Sequence, residues 1–157
     1  TGSLYAWQQY GFTPDIMSTA KGLGGGLPIG ACLFGEKTEN TLTPGTHGST
    51  FGGSPAVCAG ALSILGRIDE ALLAQVRAKS EYLFSAFEGR PGIEQVSGLG
   101  LMIGLRTAKP AAEVVAKCME QGVLVLTAHG KVRLLPALNI PMELVKKAAE
   151  VIIAACA

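Results

Sequence analysis

After Gly92, short apolar runs and amphipathic stretches follow one another in an order that few folds accommodate. Runs of strand length occupy four places, at residues 93–96, 101–105, 123–126 and 132–135. Helical periodicity occupies two places, at residues 110–121 and 141–156. This ββαββα order, about 65 residues long, predicts a small two-layer α/β unit.

The first half of the chain predicts only part of a domain. Strand patterns occur at residues 15–20 and 29–34. A long loop follows at residues 36–53, and helical patterns follow at residues 54–68 and 70–88. Ser54 and Pro55 indicate where the first of these helices begins, as its N-cap and first residue. Because two strands cannot make a stable sheet by themselves, we expect these elements to be the end of a larger sheet domain. We place the domain boundary between Gly89 and Gly92.

The composition excludes several classes of protein. Hydrophobic residues make up 48% of the chain and charged residues 16%, a balance that excludes a disordered tail. The 13 basic and 12 acidic residues nearly cancel, so nothing indicates a nucleic acid or an anionic membrane as partner. The apolar runs are far shorter than the ~20 residues that cross a bilayer. The four cysteines and two histidines lack metal-site spacing, and we expect buried, reduced cysteines and no metal.

A lysine followed by a glycine-rich turn is the first candidate for chemistry. Lys21 follows the predicted strand at 15–20 and precedes the glycines of residues 22–26. This order is the reverse of a phosphate-binding Walker loop, and the glycines of residues 98–104 lack the helix that a dinucleotide fingerprint requires. A lysine at the end of a buried strand would have a lowered pKa and therefore a neutral, nucleophilic amine. The competing interpretation is an ordinary surface lysine.

Two further places carry groups that bind anions. Residues 47–55 combine hydroxyls, glycines and a helix N-terminus, which suits a phosphate, although a flexible connector has the same composition. Arg133 lies within an apolar strand, and a half-buried guanidinium needs a carboxylate from the protein or from a substrate. Structural and functional interpretations of Arg133 both stay open.

Together these segments resemble the class III aminotransferases, which use pyridoxal 5′-phosphate. Residues 13–31, with Ala-Lys-Gly-Leu-Gly-Gly-Gly-Leu-Pro at their centre, are similar to the family's cofactor-lysine segment. The sequence His-Gly-Ser-Thr-Phe-Gly-Gly at 47–53 resembles its cofactor-phosphate loop, and residues 122–125 and 132–136 resemble its small C-terminal domain.

The resemblance implies the C-terminal part of a fold-type-I pyridoxal-phosphate-dependent transferase, of class α/β. Residues 1–90 would end the large, mixed-sheet, cofactor-binding domain and include the interdomain helix, and residues 91–157 would form the small α/β domain. The implied reaction is transamination of N2-acetyl-L-ornithine with 2-oxoglutarate, in arginine biosynthesis, by a cytoplasmic homodimer with shared active sites. Family members are much longer, so we expect the isolated chain to be inactive, without the acidic partner of the cofactor's ring nitrogen.

The resemblance also implies a role for four residues. Lys21 would hold the cofactor covalently and act as the catalytic base and acid. Thr50 would bind the cofactor phosphate of the neighbouring subunit, and Ser49 would lie nearer the substrate. Arg133 would bind the substrate α-carboxylate.

Three alternatives stay open. Within the same chemistry, the substrate could be ornithine, succinylornithine or another ω-amino acid, since the discriminating residues lie outside this sequence. The chain could instead be a non-catalytic dimerisation piece. A nucleotide-binding α/β module is the third possibility, and protection from unfolding by a dinucleotide would reveal it.

Overall fold

The computed structural model describes residues 1–157, which divide into two compact units. The N-terminal unit spans Leu4–Asp69. The C-terminal unit combines Thr1–Ser3 with Glu70–Ala157.

The N-terminal unit contains a two-stranded antiparallel sheet and one α-helix. Its elements are β1 (Ile16–Thr19), β2 (Ala31–Phe34), α1 (Pro55–Leu65) and two short 3-10 helices (Ala6–Gln9 and Lys21–Gly24). Both predicted strands are present, but the expectation that they are buried is wrong, because their residues are exposed or half-buried. A sheet of only two strands offers too small a face for another layer of the chain to pack on and bury it.

Helix α1 begins as predicted and ends earlier. Ser54 occupies the N-cap position, but its hydroxyl makes no capping hydrogen bond, and Pro55 at the first turn removes one donor that would need a cap. The helix ends at Leu65, where Gly66 follows, rather than at residue 68.

The C-terminal unit confirms the predicted ββαββα order and the α/β class. Its elements are α2 (Glu70–Phe87), β3 (Ile93–Leu99), β4 (Met102–Thr107), α3 (Ala111–Glu120), β5 (Leu126–Ala128), β6 (Lys131–Leu134) and α4 (Met142–Cys156). The sheet is antiparallel with strand order β3-β4-β6-β5. Helix α2 belongs to this unit because it packs on α4 and β3. The domain boundary between Gly89 and Gly92 stays a prediction.

One face of this sheet forms the core with the helices. Ile103 and Leu105 alternate along β4 and are fully buried, as strand periodicity requires. In α3, Val114 and Cys118 recur at helical spacing and are also fully buried. The opposite sheet face therefore carries the polar residues of the same strands, including Arg133 of β6.

The first residues of the chain are fixed to the C-terminal unit. The Arg77 guanidinium donates to the Gly2 carbonyl oxygen over 2.7 Å and also pairs with Glu70. At Gly100, φ is +60° and a Cβ atom would lie 2.5 Å from the Cα of Thr1, so only glycine fits this turn.

The cysteines are all free, but only some are buried. Cys118 and Cys156 are buried, whereas Cys32 is exposed, which corrects the expectation that all four are buried. Cys32 lies on β2, which is exposed because no layer covers the two-stranded sheet. None of the helices combines the length and apolar character that a membrane span requires.

Candidate active site

Lys21 begins the 3-10 helix that follows β1, and its side chain is exposed. The expectation of a buried lysine is therefore wrong for this chain, because the two-stranded sheet whose strands flank Lys21 in sequence is too small to be covered by another layer. No ion pair of the chain involves Lys21, so its amine is accessible to a small molecule.

The backbone at Lys21 is strained. Its φ is +54°, in the left-handed region that costs a residue with a Cβ atom about 1–2 kcal/mol. His129 is the other non-glycine residue of this kind, and there the β5–β6 hairpin turn, completed by Gly130, accounts for it. Lys21 lies in the long connection between β1 and β2, where no tight two-residue turn accounts for the strain, and such strain is concentrated at functional sites.

The glycines after Lys21 allow the turn to pack closely on α1. A Cβ atom at Gly25 would lie 2.7 Å from the Cγ1 atom of Ile64, and φ at Gly25 is +62°. On the helix side, a Cβ atom at Gly60 would lie 3.3 Å from the Gly24 carbonyl oxygen. Helix α1 thus supports the turn that carries Lys21.

Ser49 and Thr50 lie in the exposed loop before α1. The Gly52 N–H donates to the Ser49 Oγ over 3.0 Å, so that hydroxyl orders the glycine turn that follows it. Phe51, between them, is 90% exposed.

Arg133 lies near the centre of the four-stranded sheet, where it is paired with Gly104 on β4 and with Leu126 on β5. Its side chain is half-buried, and its Nε atom is buried without a hydrogen-bond partner. No carboxylate of the chain pairs with it. A guanidinium held in this way can bind an external carboxylate.

Sequence reasoning missed two polar residues on the sheet face that carries Arg133. The Lys131 Nζ donates to the Ser97 Oγ over 2.8 Å, and Ser97 Oγ donates to the Gly104 carbonyl oxygen over 3.1 Å. Lys131 and Arg133 are two positions apart on β6 and therefore share a face, a spacing that could have identified Lys131.

The predicted site residues belong to different units. Lys21, Ser49 and Thr50 lie in the N-terminal unit, and Arg133 lies in the C-terminal unit. The first three offer an accessible amine and two hydroxyls to a carbonyl compound and a phosphate, and Arg133 offers a guanidinium to a carboxylate. The amine and hydroxyls of the N-terminal unit are the kinds of group that bind an aldehyde and a phosphate, and the guanidinium of the C-terminal unit is the kind that binds a carboxylate.

A comparison with protein families matches residues 1–156 to the family described as aminotransferase class-III. The acetylornithine aminotransferase of Haemophilus ducreyi is 44% identical over 154 residues, which cover 97% of this chain and 39% of that protein. The enzyme of the same name from Clostridium acetobutylicum is 41% identical, over 94% of this chain and 40% of that protein. The chain therefore spans about two fifths of the length of these relatives.

Solved structures give the same result. Acetylornithine aminotransferase from Elizabethkingia anophelis superposes with a TM-score of 0.85 and 30% identity, covering 99% of this chain and 42% of that one. Ornithine aminotransferase from Toxoplasma gondii, described with partial occupancy of pyridoxal phosphate at its active site, has a TM-score of 0.86 and 33% identity, covering 99% of this chain and 40% of that one.

Proposed function

The chain belongs to the class-III aminotransferase family, and we propose that it contributes the lysine-bearing part of an enzyme that transfers an amino group from N2-acetyl-L-ornithine to 2-oxoglutarate. The products are N-acetylglutamate 5-semialdehyde and glutamate. The observation that carries this proposal is Lys21, an accessible lysine held in a strained backbone on a supported glycine turn. The substrate assignment is supported by the name shared by the curated relatives, which are 44% and 41% identical.

Pyridoxal 5′-phosphate is the cofactor of this proposal. When bound, it supplies the electron sink that allows an amino group to be exchanged between an amino acid and a 2-oxo acid. The ε-amino group of Lys21 would hold it and then, as catalytic base and acid, move a proton at the substrate carbon that bears the amino group. The Lys21 amine is exposed and makes no ion pair within the chain, so a carbonyl compound can reach it.

The remaining site residues have binding roles. Arg133 would bind the substrate α-carboxylate, a role supported by its buried, unpartnered Nε atom. Thr50 would bind the cofactor phosphate of the neighbouring subunit of a homodimer, with Ser49 nearer the substrate. The full exposure of this loop, including Phe51 at 90%, supports a contact with a second subunit.

The isolated chain is proposed to be inactive. Residues 1–90 would be the end of the large domain and residues 91–157 the small domain, and the segments that match the rest of the longer relatives would complete the pocket. We place the reaction in arginine biosynthesis, in the cytoplasm.

Ornithine is the alternative amino donor. Its support is that solved ornithine aminotransferases, such as the Toxoplasma gondii enzyme, superpose on this chain as well as acetylornithine aminotransferases do. The two donors differ in an acetyl group on the α-amine, which a pocket outside this chain would recognise.

Amino transfer in the full-length protein tests the proposal. With 2-oxoglutarate as acceptor, we expect glutamate formation from N2-acetylornithine to exceed that from ornithine. Lys21→Arg should abolish it, while Lys37→Arg, a change at an exposed lysine of the same unit, should not. Arg133→Lys should raise the KM for 2-oxoglutarate about tenfold, because lysine cannot make the bidentate pair. Full activity of the Lys21→Arg variant would refute the proposal.

A further inference from the structure

Lys21 lies in the first of three overlapping turns that follow β1. The turns are closed by backbone N–H groups that donate to carbonyl oxygens three residues earlier, from Leu23 to Ala20, from Gly25 to Gly22 and from Leu27 to Gly24. Because φ at Lys21 is +54°, its side chain leaves the backbone in a direction that a relaxed, negative φ would not give. The contacts that hold these turns therefore also set the direction of the lysine side chain.

One face of α1 packs on the turns. Ile64 contacts the second turn, since a Cβ atom at Gly25 would lie 2.7 Å from the Ile64 Cγ1 and 2.8 Å from its Cδ1. Gly60 is four positions earlier and therefore on the same face, and a Cβ atom there would lie 3.3 Å from the Gly24 carbonyl oxygen. The Ile64 side chain thus packs directly on the turn backbone.

Ile64 holds the turns from outside the β1–β2 connection. Ile29 also packs on them, because a Cβ atom at Gly24 would lie 2.9 Å from the Ile29 Cγ2, but Ile29 belongs to the same connection and can move with it. Ile64 belongs to an α-helix of 11 residues, whose backbone is fixed by its own hydrogen bonds. Without the Ile64 contact, the strain at Lys21 favours a relaxed backbone by a factor of about 5–30.

We propose that Ile64 is a positioning residue for Lys21: by packing on Gly25, it keeps the lysine backbone in the left-handed conformation that orients the amine. This inference rests on the proposed function, because the chemistry of that amine is taken from there. Ile64 acts only through the turns, so its loss should change both the backbone preference at position 21 and the reactivity of the amine.

Urea unfolding of the 157-residue chain tests the effect on the backbone. Trp7, the single tryptophan, lies in the N-terminal unit and reports on it by fluorescence. Glycine adopts a positive φ without strain, so Lys21→Gly should have a folded-to-unfolded ratio about fivefold higher than Lys21→Ala. Combined with Ile64→Ala, this difference should shrink to less than about twofold, because the turn can relax. Combined with Leu65→Ala, at a half-buried position of the same helix, it should stay about fivefold.

A milder variant keeps the test decisive if Ile64→Ala does not fold. Ile64→Val keeps the Cγ1 atom and loses only the Cδ1 atom, so the glycine–alanine difference should be intermediate. If Ile64 merely fills space, each substitution lowers the stability of the Lys21→Gly and Lys21→Ala chains by the same factor. An unchanged glycine–alanine difference would therefore overturn the inference.

Borohydride trapping of pyridoxal phosphate, with Lys21 intact, measures the orientation of the amine. The ratio of label on Lys21 to label on the exposed Lys37 should fall about fivefold in Ile64→Ala and stay unchanged in Leu65→Ala. An unchanged ratio in Ile64→Ala would overturn the positioning role even if the backbone preference changes.

The outcomes distinguish this inference from the proposed function. If the unsubstituted chain labels Lys21 above Lys37, and Ile64→Ala changes neither measurement, only the role of Ile64 is overturned. If the unsubstituted chain labels Lys21 no more than Lys37, the cofactor role of Lys21 fails, and the positioning role fails with it.

Discussion

Raising the pH above 9 should destabilise the C-terminal unit through one buried thiol. Cys156 lies in α4 with 1% of its surface exposed, and burial, with a smaller contribution from the nearby Cys118, raises its pKa from 9.0 to about 11. The folded unit therefore keeps the thiol proton in a range where the unfolded chain releases it. Because the unfolded state binds fewer protons there, stability is unaffected below pH 9 and falls as the pH rises from 9 to about 11.

The size of this loss follows from the width of that range. Two pH units, at about 1.36 kcal/mol each, give a loss of about 2.7 kcal/mol in the free energy of unfolding. Cys156→Ala removes the contribution of this thiol, while that of Cys118, whose pKa burial also raises, stays the same in both chains. The substitution costs about 1 kcal/mol in core packing, which does not depend on pH. The variant should therefore be less stable than the unsubstituted chain at about pH 8 and more stable above about pH 10.

Urea unfolding under reducing conditions measures this crossing. The methyl NMR signals of Ile103 and Ile152 report on the C-terminal unit and can be followed at high pH. Cys32→Ala, at an exposed position of the other unit, is the matched control and should leave the profile of the unsubstituted chain unchanged. Parallel profiles for Cys156→Ala and the unsubstituted chain from pH 8 to about 11 would refute the reasoning.

Two other substitutions test the packing of the same unit. Phe87 is fully buried, so Phe87→Ala should lower the free energy of unfolding by about 3–5 kcal/mol in the urea assay. The control Phe51→Ala, at a ring that is 90% exposed, should lower it by less than about 0.5 kcal/mol. Similar costs for the two substitutions would contradict the assigned core. At Gly98, φ is +138° and a Cβ atom would lie 2.0 Å from the Met102 carbonyl oxygen, whereas at Gly122, φ is +75° and nothing lies within 4 Å. Gly122→Ala should therefore cost about 1–2 kcal/mol for strain alone and Gly98→Ala clearly more. The reverse order would show that the pairing of β3 with β4 is wrongly placed.

Local sequence patterns predicted the C-terminal unit well because its elements are complete. Each helix there has its apolar face at helical spacing, and each is covered by the sheet that the neighbouring strands form. The exception is the strand predicted at residues 123–126, which is found at Leu126–Ala128. Val125 is buried and apolar, as a strand residue would be, but the hairpin turn at His129 and Gly130 sets the pairing, and that register begins at Leu126.

Burial in the N-terminal unit could not be predicted in the same way. The apolar residues of β1 and β2 indicate a preference for burial, but a sequence does not show whether a covering layer is present. The backbone strain at Lys21 was equally invisible, because it depends on how the following turn packs on α1. The family resemblance identified Lys21 and Arg133, whereas the Lys131–Ser97 contact depends on the register of three strands.

Covalent trapping of pyridoxal phosphate tests the role of Lys21 most directly. The chain is mixed with pyridoxal phosphate, reduced with borohydride and digested, and the modified lysines are located by mass spectrometry. Four other lysines serve as internal controls: the ion-paired Lys37 and Lys117, the buried Lys79, and Lys146, which lies over the Tyr82 ring. We expect the label to concentrate on Lys21. Labelling spread over the exposed lysines, with Lys21 no more modified than Lys37, would contradict its assignment as the cofactor lysine.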